Sequence, residues 1–330
     1  MTSRWPIVIL VAALSAVIIV PSAILSPLGA ATAGSMIGLG GLGIAFVALA
    51  TDLRVSLITA AAFAVLALLA AEGTSLPVLG ILALVAVAIG VGMTARWGWN
   101  RSFIVAPITL AFIASESVVS APVDSTLVFA GVFLVYGIVV ALIVTGLRIR
   151  FLPPHRNSVY SVQQSWSRTI GYTVMLAVTA GITTTIALLN DWGHTGGWLI
   201  MTPFIVIQPY VRDGWHKAVN RALGTAAGLI VADGLARVIG QGPTLATIGY
   251  GFGILAIIAM VKHWHYAVYT TLLTPAVVIL ETIGRPVEET GYERVVATII
   301  GVAVSLGAMA IAAPIYRRKN ARIDLPKRSA

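Results

Sequence analysis

Three cations in one short stretch, Arg212, Lys217 and Arg221, stand between apolar runs. A charged side chain so placed is either a topological anchor at the cytoplasmic end of a membrane span or a handle for an anion. Lys217 and Arg221 are four residues apart and share one helix face, with His216 and Asn220 on the adjoining strip. At a helix start the partial positive charge of the N-terminus adds to theirs, which suits a carboxylate. Anchoring explains Arg212 and Lys217 well. Arg221 fits it less well, because the pattern puts it about one turn inside its span.

Three further ionisable residues lie near the ends of apolar runs. Glu116 and Glu281 follow Pro107 and Pro275 on similar faces of equivalent helices, and Arg294 precedes Thr298 and Gly301. Intramembrane carboxylates are costly, so these are either solvated at the interface or used for proton coupling or gating, with Arg294 placed to pair with Glu281 or Glu293. Between Trp198 and Arg212, Pro203 and Pro209 interrupt a helix into which Thr202 and Gln208 bring polar groups. A short or broken helix is expected there, and its freed backbone groups must be buried in protein or line a water-filled cavity.

Other chemistries find little support. The five His are scattered without a metal geometry, Cys is absent, and no nucleophile elbow or phosphate-binding loop occurs. No metal, cofactor or enzymatic activity is expected. Gly38, Gly40 and Gly43 match the spacing of a dinucleotide fingerprint but lack the strand it needs. Small residues let membrane helices approach closely, which is the better reading of these glycines and of Gly224 with Gly228.

The elements that must hold these residues are membrane helices. In 330 residues, 58% are hydrophobic, 10% are charged and the mean hydropathy is +0.95. That excludes an ordinary soluble domain. The net charge of +9 then reflects topology in the lipid bilayer rather than nucleic acid. Twelve spans are predicted: 6–28, 34–51, 55–71, 76–95, 102–120, 126–147, 168–190, 197–211, 217–237, 243–261, 264–281 and 292–316. The N-terminal run is read as a retained first span rather than a signal peptide. Assigning loops alternately to two sides leaves only Arg237, Arg285 and Arg294 of the 21 Lys and Arg off one side, while most of the 12 acids fall opposite. Both termini are therefore expected in the cytoplasm. All eight Trp fall near predicted span ends, as an interfacial belt requires.

The fold class expected is all-α, a polytopic bundle of about 12 transmembrane helices in two parallel six-helix pseudo-repeats. Ser3 and Arg4 match Ser167 and Arg168, and Trp97 before Pro107 matches Trp264 before Pro275. The first repeat covers 1–147, a basic cytoplasmic linker 148–167, the second repeat 168–316 and a basic cytoplasmic tail 317–330.

At Trp198, Pro209, Arg221, Gly224, Thr225 and Gly228 the second half resembles the fusaric acid resistance family of inner-membrane proteins, which includes aromatic acid exporters and is distantly related to the plant aluminium-activated malate transporters. The R-x-x-G-T-x-x-G run, written here RALGTAAG, is its most recognisable piece. The resemblance covers about residues 165–316, and the first half lacks the Arg-and-Gly-Thr pattern. It implies export or channel-like movement of small organic, often aromatic, carboxylate anions, without ATP hydrolysis by this chain. Arg221 with Lys217 or Arg212 would attract the carboxylate, and Trp198, Gln208 and Thr225 would lie along the route. A homodimer is the assembly the resemblance allows. The alternative is a noncatalytic membrane scaffold or assembly partner of envelope machinery.

Overall fold

Every apolar run foreseen in the sequence contains a helix. The computed structural model describes residues 5–118, 123–151, 163–240, 242–262, 264–281 and 287–323. Within them lie α1 (Trp5–Leu25), α2 (Ala31–Ala50), α3 (Leu53–Glu72), α4 (Pro77–Thr94), α5 (Val105–Ser115), α6 (Thr126–Phe151), α7 (Trp166–Leu189), α8 (Gly193–Val206), α9 (Val211–Ile239), α10 (Pro243–Val261), α11 (Tyr266–Glu281) and α12 (Val287–Ile323). Local signals set several boundaries. The Asp52 carboxylate accepts from the Val55 amide to cap α3, and Ser165 does the same at Arg168 for α7. Proline occupies the first turn of α4 and α10, where its missing N–H costs nothing.

Eight of the helices are long and apolar enough to cross a membrane. The chain is an all-α, multi-pass membrane protein. Large apolar side chains such as Leu127, Ile230 and Val238 remain exposed on outer faces, where lipid is their solvent.

Two short helices lie deepest. α5 has 11 residues and α8 has 14, and most positions on both are buried. At 1.5 Å per residue they reach only about 16 and 21 Å, against a hydrocarbon core of about 30 Å. The sequence expectation of 102–120 for α5 was too long: a turn at 101–104 precedes it, and the chain leaves helical geometry at Glu116. α8 stays helical through Pro203 and ends at Val206, so the short helix was foreseen but the break falls at Pro209 only. α6 runs on to Phe151 and α12 to Ile323, past the expected span ends at 147 and 316.

In the first half α2 packs on α1 and α6, and α3 on α4, α5 and α6. In the second, α8 packs on α7 and α12, and α9 on α11 and α12. The halves meet where α4 lies along α7 and α5 along α8, with a lighter contact between α1 and α10.

Candidate functional site

Arg221 sits farther along its helix than its sequence position suggested. The ninth helix begins at Val211, not 217, so Arg221 lies about 15 Å along its axis. The N-terminal dipole fades within the first turn, so it adds nothing at Arg221 and little at Lys217. Nor does the side chain snorkel, for Arg221 is only 3% exposed. Its guanidinium is set beside Tyr266 on α11, with Tyr269 close by. The two tyrosine rings lie 6.1 Å apart. Arg221 Nε meets no hydrogen-bond partner among the described residues. Lys217, one turn earlier, holds its Nζ 5.8 Å from the centre of the Tyr266 ring, and its charged neighbours are Arg101 and Asp213.

The glycines of the same run hold this group in place. A Cβ on Gly224 would overlap Thr270 Oγ1 and lie 3.0 Å from the Ala267 carbonyl oxygen. One on Gly228 would lie 2.6 Å from Thr274 Cβ and 2.9 Å from the Thr271 oxygen. Matched pairs Arg221–Tyr266, Gly224–Thr270 and Gly228–Thr274 advance together, so α9 and α11 run parallel in tight contact. Thr270 also donates to the Asn220 carbonyl, 3.3 Å away. Thr225 is buried one turn past Arg221.

A second cluster sits at the other end of the short helices. Glu116, at the C-terminus of α5, pairs with His194 Nδ1 near the start of α8. A carboxylate at a helix C-terminus opposes the dipole, and His194 offsets this. Trp198 packs edge-on against Phe112 at 4.8 Å between ring centroids, and the Arg294 guanidinium lies 3.6 Å from the centre of the Trp198 ring. Gly197 makes room for Phe112. Thr195 donates to Glu293 at 2.8 Å. Trp198 is only 4% exposed, which corrects its assignment to an interfacial belt.

The sequence-predicted residues therefore separate. Arg221, Lys217 and Thr225 belong to the α9–α11 group; Glu116, Trp198 and Arg294 belong to the α5–α8–α12 cluster. Gln208 joins neither: its amide donates to the Ile205 and Ile207 carbonyls at 3.1 and 2.8 Å, groups freed where α8 ends. Arg212 and Glu281 lie on α9 and α11, and their side chains fall outside the described ones. Sequence reasoning missed Tyr266, Tyr269, His194 and Phe112. The Tyr266 and Tyr269 pair, three apart at a helix start opposite the glycines, was the one legible signal.

Other cations have structural partners. Arg148 donates to the Thr51 carbonyl at the end of α2, Arg96 to the Gln164 carbonyl at 2.8 Å, and Arg168 to the Tyr210 hydroxyl at 2.8 Å.

Comparison with known proteins bears on the second half. Residues 182–308 match the family model described as fusaric acid resistance protein-like. An uncharacterized protein of Synechocystis sp. is 34% identical over 128 residues, which is 37% of this chain and 16% of that protein's length. No solved structure matches. The relationship to aluminium-activated malate transporters stays an expectation. Residues 182–308, from the middle of α7 into α12, carry a fusaric acid resistance protein-like domain.

Proposed function

We propose that this chain is a secondary transporter or channel-like path that exports small organic, aromatic carboxylate anions across the inner membrane. The observation that carries it is Arg221: a guanidinium on a membrane helix, 3% exposed, beside two tyrosines and with Nε unmatched among the described residues. A buried cation in a dry site is costly unless it serves an anion. Lys217 and Arg212 attract the anion at the cytoplasmic mouth, and Thr225 lies beside its seat. Gln208 borders the route through the end of α8. Glu116 with His194 and Arg294 on Trp198 gate the opposite end, and Glu281, the last residue of α11, is a further coupling candidate.

Two finer readings support this path. All twelve helices cross the bilayer, and Ile207 and Gln208, where α8 ends, are buried, as irregular backbone at membrane depth requires. The halves are parallel repeats: α1 on α2 corresponds to α7 on α8, α2 on α6 to α8 on α12, α3 on α6 to α9 on α12, and α4 on α7 to α10 on α1. The distribution of Lys and Arg then puts both termini in the cytoplasm. Nothing in this reading calls for a cofactor or an enzymatic step.

The test is transport in reconstituted vesicles with an aromatic carboxylate and its neutral amide. A charge-assisted hydrogen bond is worth about 1.5–3 kcal/mol, so Arg221→Gln should weaken carboxylate transport by about 10- to 100-fold and spare the amide. Equal loss for both substrates makes Arg221 a packing residue and leaves the scaffold reading, which the tight α9–α11 contact favours.

A further inference from the structure

Two buried arginines, Arg221 on α9 and Arg294 on α12, are each 3% exposed. They belong to different side-chain groups, yet the packing of α9 on α12 puts them on one seam. A Cβ on Gly214 would lie 2.6 Å from Met309 Sδ, and one on Gly291 would overlap Leu229 Cδ1. The first contact joins the start of α9 to a late turn of α12, and the second joins the start of α12 to a late turn of α9, so the two helices run antiparallel. Arg221 stands seven residues past Gly214 and eight before Leu229, which places it opposite 299–302 of α12. Arg294, three past Gly291 and fifteen before Met309, falls opposite 226–229 of α9. The two arginines are therefore offset by about 10 Å along the seam.

Hydroxyls occupy the interval. Thr225 lies one turn past Arg221 and Thr298 one turn past Arg294, and they are 4% and 2% exposed. By the same register Thr298 stands opposite 222–225, between the two arginines. A buried hydroxyl in a membrane helix can donate to the carbonyl one turn back, as Thr202 does to Trp198 at 2.7 Å and Ser305 to Gly301 at 2.6 Å. Thr298 Oγ1 makes no such bond and meets no partner among the described residues. Nor does Trp198 Nε1, on the indole whose ring centre lies 3.6 Å from the Arg294 guanidinium. Two unmatched donors thus adjoin a buried cation, and such donors are costly unless an acceptor meets them.

We infer that Arg294, Trp198 Nε1 and Thr298 Oγ1 form a second seat for the organic carboxylate, on the same route as Arg221. The seat rests on the transport reading and refines it: Arg294 receives the anion as well as bordering its exit. A carboxylate has acceptor sites enough for all three donors. Phe112, edge-on to Trp198 at 4.8 Å between ring centroids, gives the seat an apolar wall. Met309 at Gly214 and Leu229 at Gly291 fill the seam at its two ends, so both arginines lie in one closed stretch.

Transport in reconstituted vesicles, with an aromatic carboxylate and its neutral amide, tests this. Thr298→Val keeps the side-chain shape and removes the hydroxyl; with no partner to strand, it should leave the unfolding midpoint in mixed micelles unchanged or raised. A hydrogen bond to a charged acceptor is worth about tenfold or more, so Thr298→Val should slow carboxylate transport by about that factor and spare the amide, and Thr298→Ser should restore it. Arg294→Gln should slow the carboxylate by about 10- to 100-fold and spare the amide. A residue that only gates or packs would slow both substrates alike. Unchanged carboxylate transport in Thr298→Val, or equal loss for both substrates in Arg294→Gln, overturns the second seat. Charge-selective loss in Arg221→Gln alone keeps the transport reading and overturns this seat, whereas no charge-selective loss at either arginine overturns both. Should Arg294→Gln fail to fold, Thr298→Val still decides.

Discussion

Alanine at Gly224 and at Gly234 separates packing from helix propensity on one helix. Both glycines lie on α9, but a Cβ at Gly234 meets nothing within 4 Å, whereas one at Gly224 overlaps Thr270. Alanine is favoured over glycine in a helix interior by about 1 kcal/mol, so Gly234→Ala should stabilise by up to that amount. Gly224→Ala gains the same term but must push α11 away, and overpacking a close contact costs about 1–3 kcal/mol. The difference between the two variants should therefore be about 1–3 kcal/mol, in favour of Gly234→Ala. Thr270→Ala removes Oγ1 and leaves Cβ, which would lie 2.8 Å from the new methyl, so relief in the double variant should be partial. A coupling of about 0.5–3 kcal/mol is expected between positions 224 and 270. The assay is unfolding in mixed micelles with rising dodecyl sulfate, followed by tryptophan fluorescence. Equal shifts for the two glycine variants, or strict additivity of Gly224→Ala with Thr270→Ala, would refute the α9–α11 contact as described.

Further outcomes follow from the same contacts. Trp198→Phe should cost less than about 1.5 kcal/mol, because the indole N–H has no described partner and the ring still stacks under Arg294, while Trp198→Ala should cost about 3–5 kcal/mol in the same unfolding assay. Arg148→Ala strands the Thr51 carbonyl and should destabilise by about 1–3 kcal/mol, with Arg148→Lys recovering part of it. Because the chain has no Cys, single cysteines report topology directly: those at Ser117 and Asp124 should react with a membrane-impermeant maleimide from the side opposite to those at Ser165 and Arg150. Labelling of all four from one side would refute the twelve-crossing arrangement.

The sequence revealed where helices lie far better than where they begin. Apolar runs are set by the lipid solvent, and α10 has the bounds 243–261 that its run predicted. Hydropathy marks the membrane rather than the helix, however. The polar residues Arg212 to Lys217 continue α9 outward and shift its start by six positions, from 217 to 211. That shift changed the physics of Arg221 from a helix-terminus cation to a buried one. Trp198 was misplaced for a related reason: tryptophan usually sits at the interface, but the gap at Gly197 lets Phe112 come beside it and buries both. The small-residue spacing of Gly224 and Gly228 announced a close neighbour without naming α11. His194 and Tyr266 were invisible as partners, since pairs made by packing across 78 and 45 positions leave no local pattern.

What sets Arg221 apart from Arg148 and Arg96 is the origin of its position. Arg148 and Arg96 reach backbone carbonyls at helix ends, where an unsatisfied acceptor explains a cation by itself. Arg221 has no such acceptor to serve. Its surroundings are set by the glycines that follow it, because the close α9–α11 approach they allow brings Tyr266 and Tyr269 beside the guanidinium. The R-x-x-G-T-x-x-G run is then one device with two parts. Gly224 and Gly228 bring two parallel helices together, and Arg221 lies against the tyrosines that this proximity supplies. A scaffold needs only the first part; an apolar residue at position 221 would pack against Tyr266 without the desolvation penalty. On the transport reading proposed above the guanidinium serves a passing anion, so the carboxylate and amide arms of the Arg221→Gln experiment decide between the two readings.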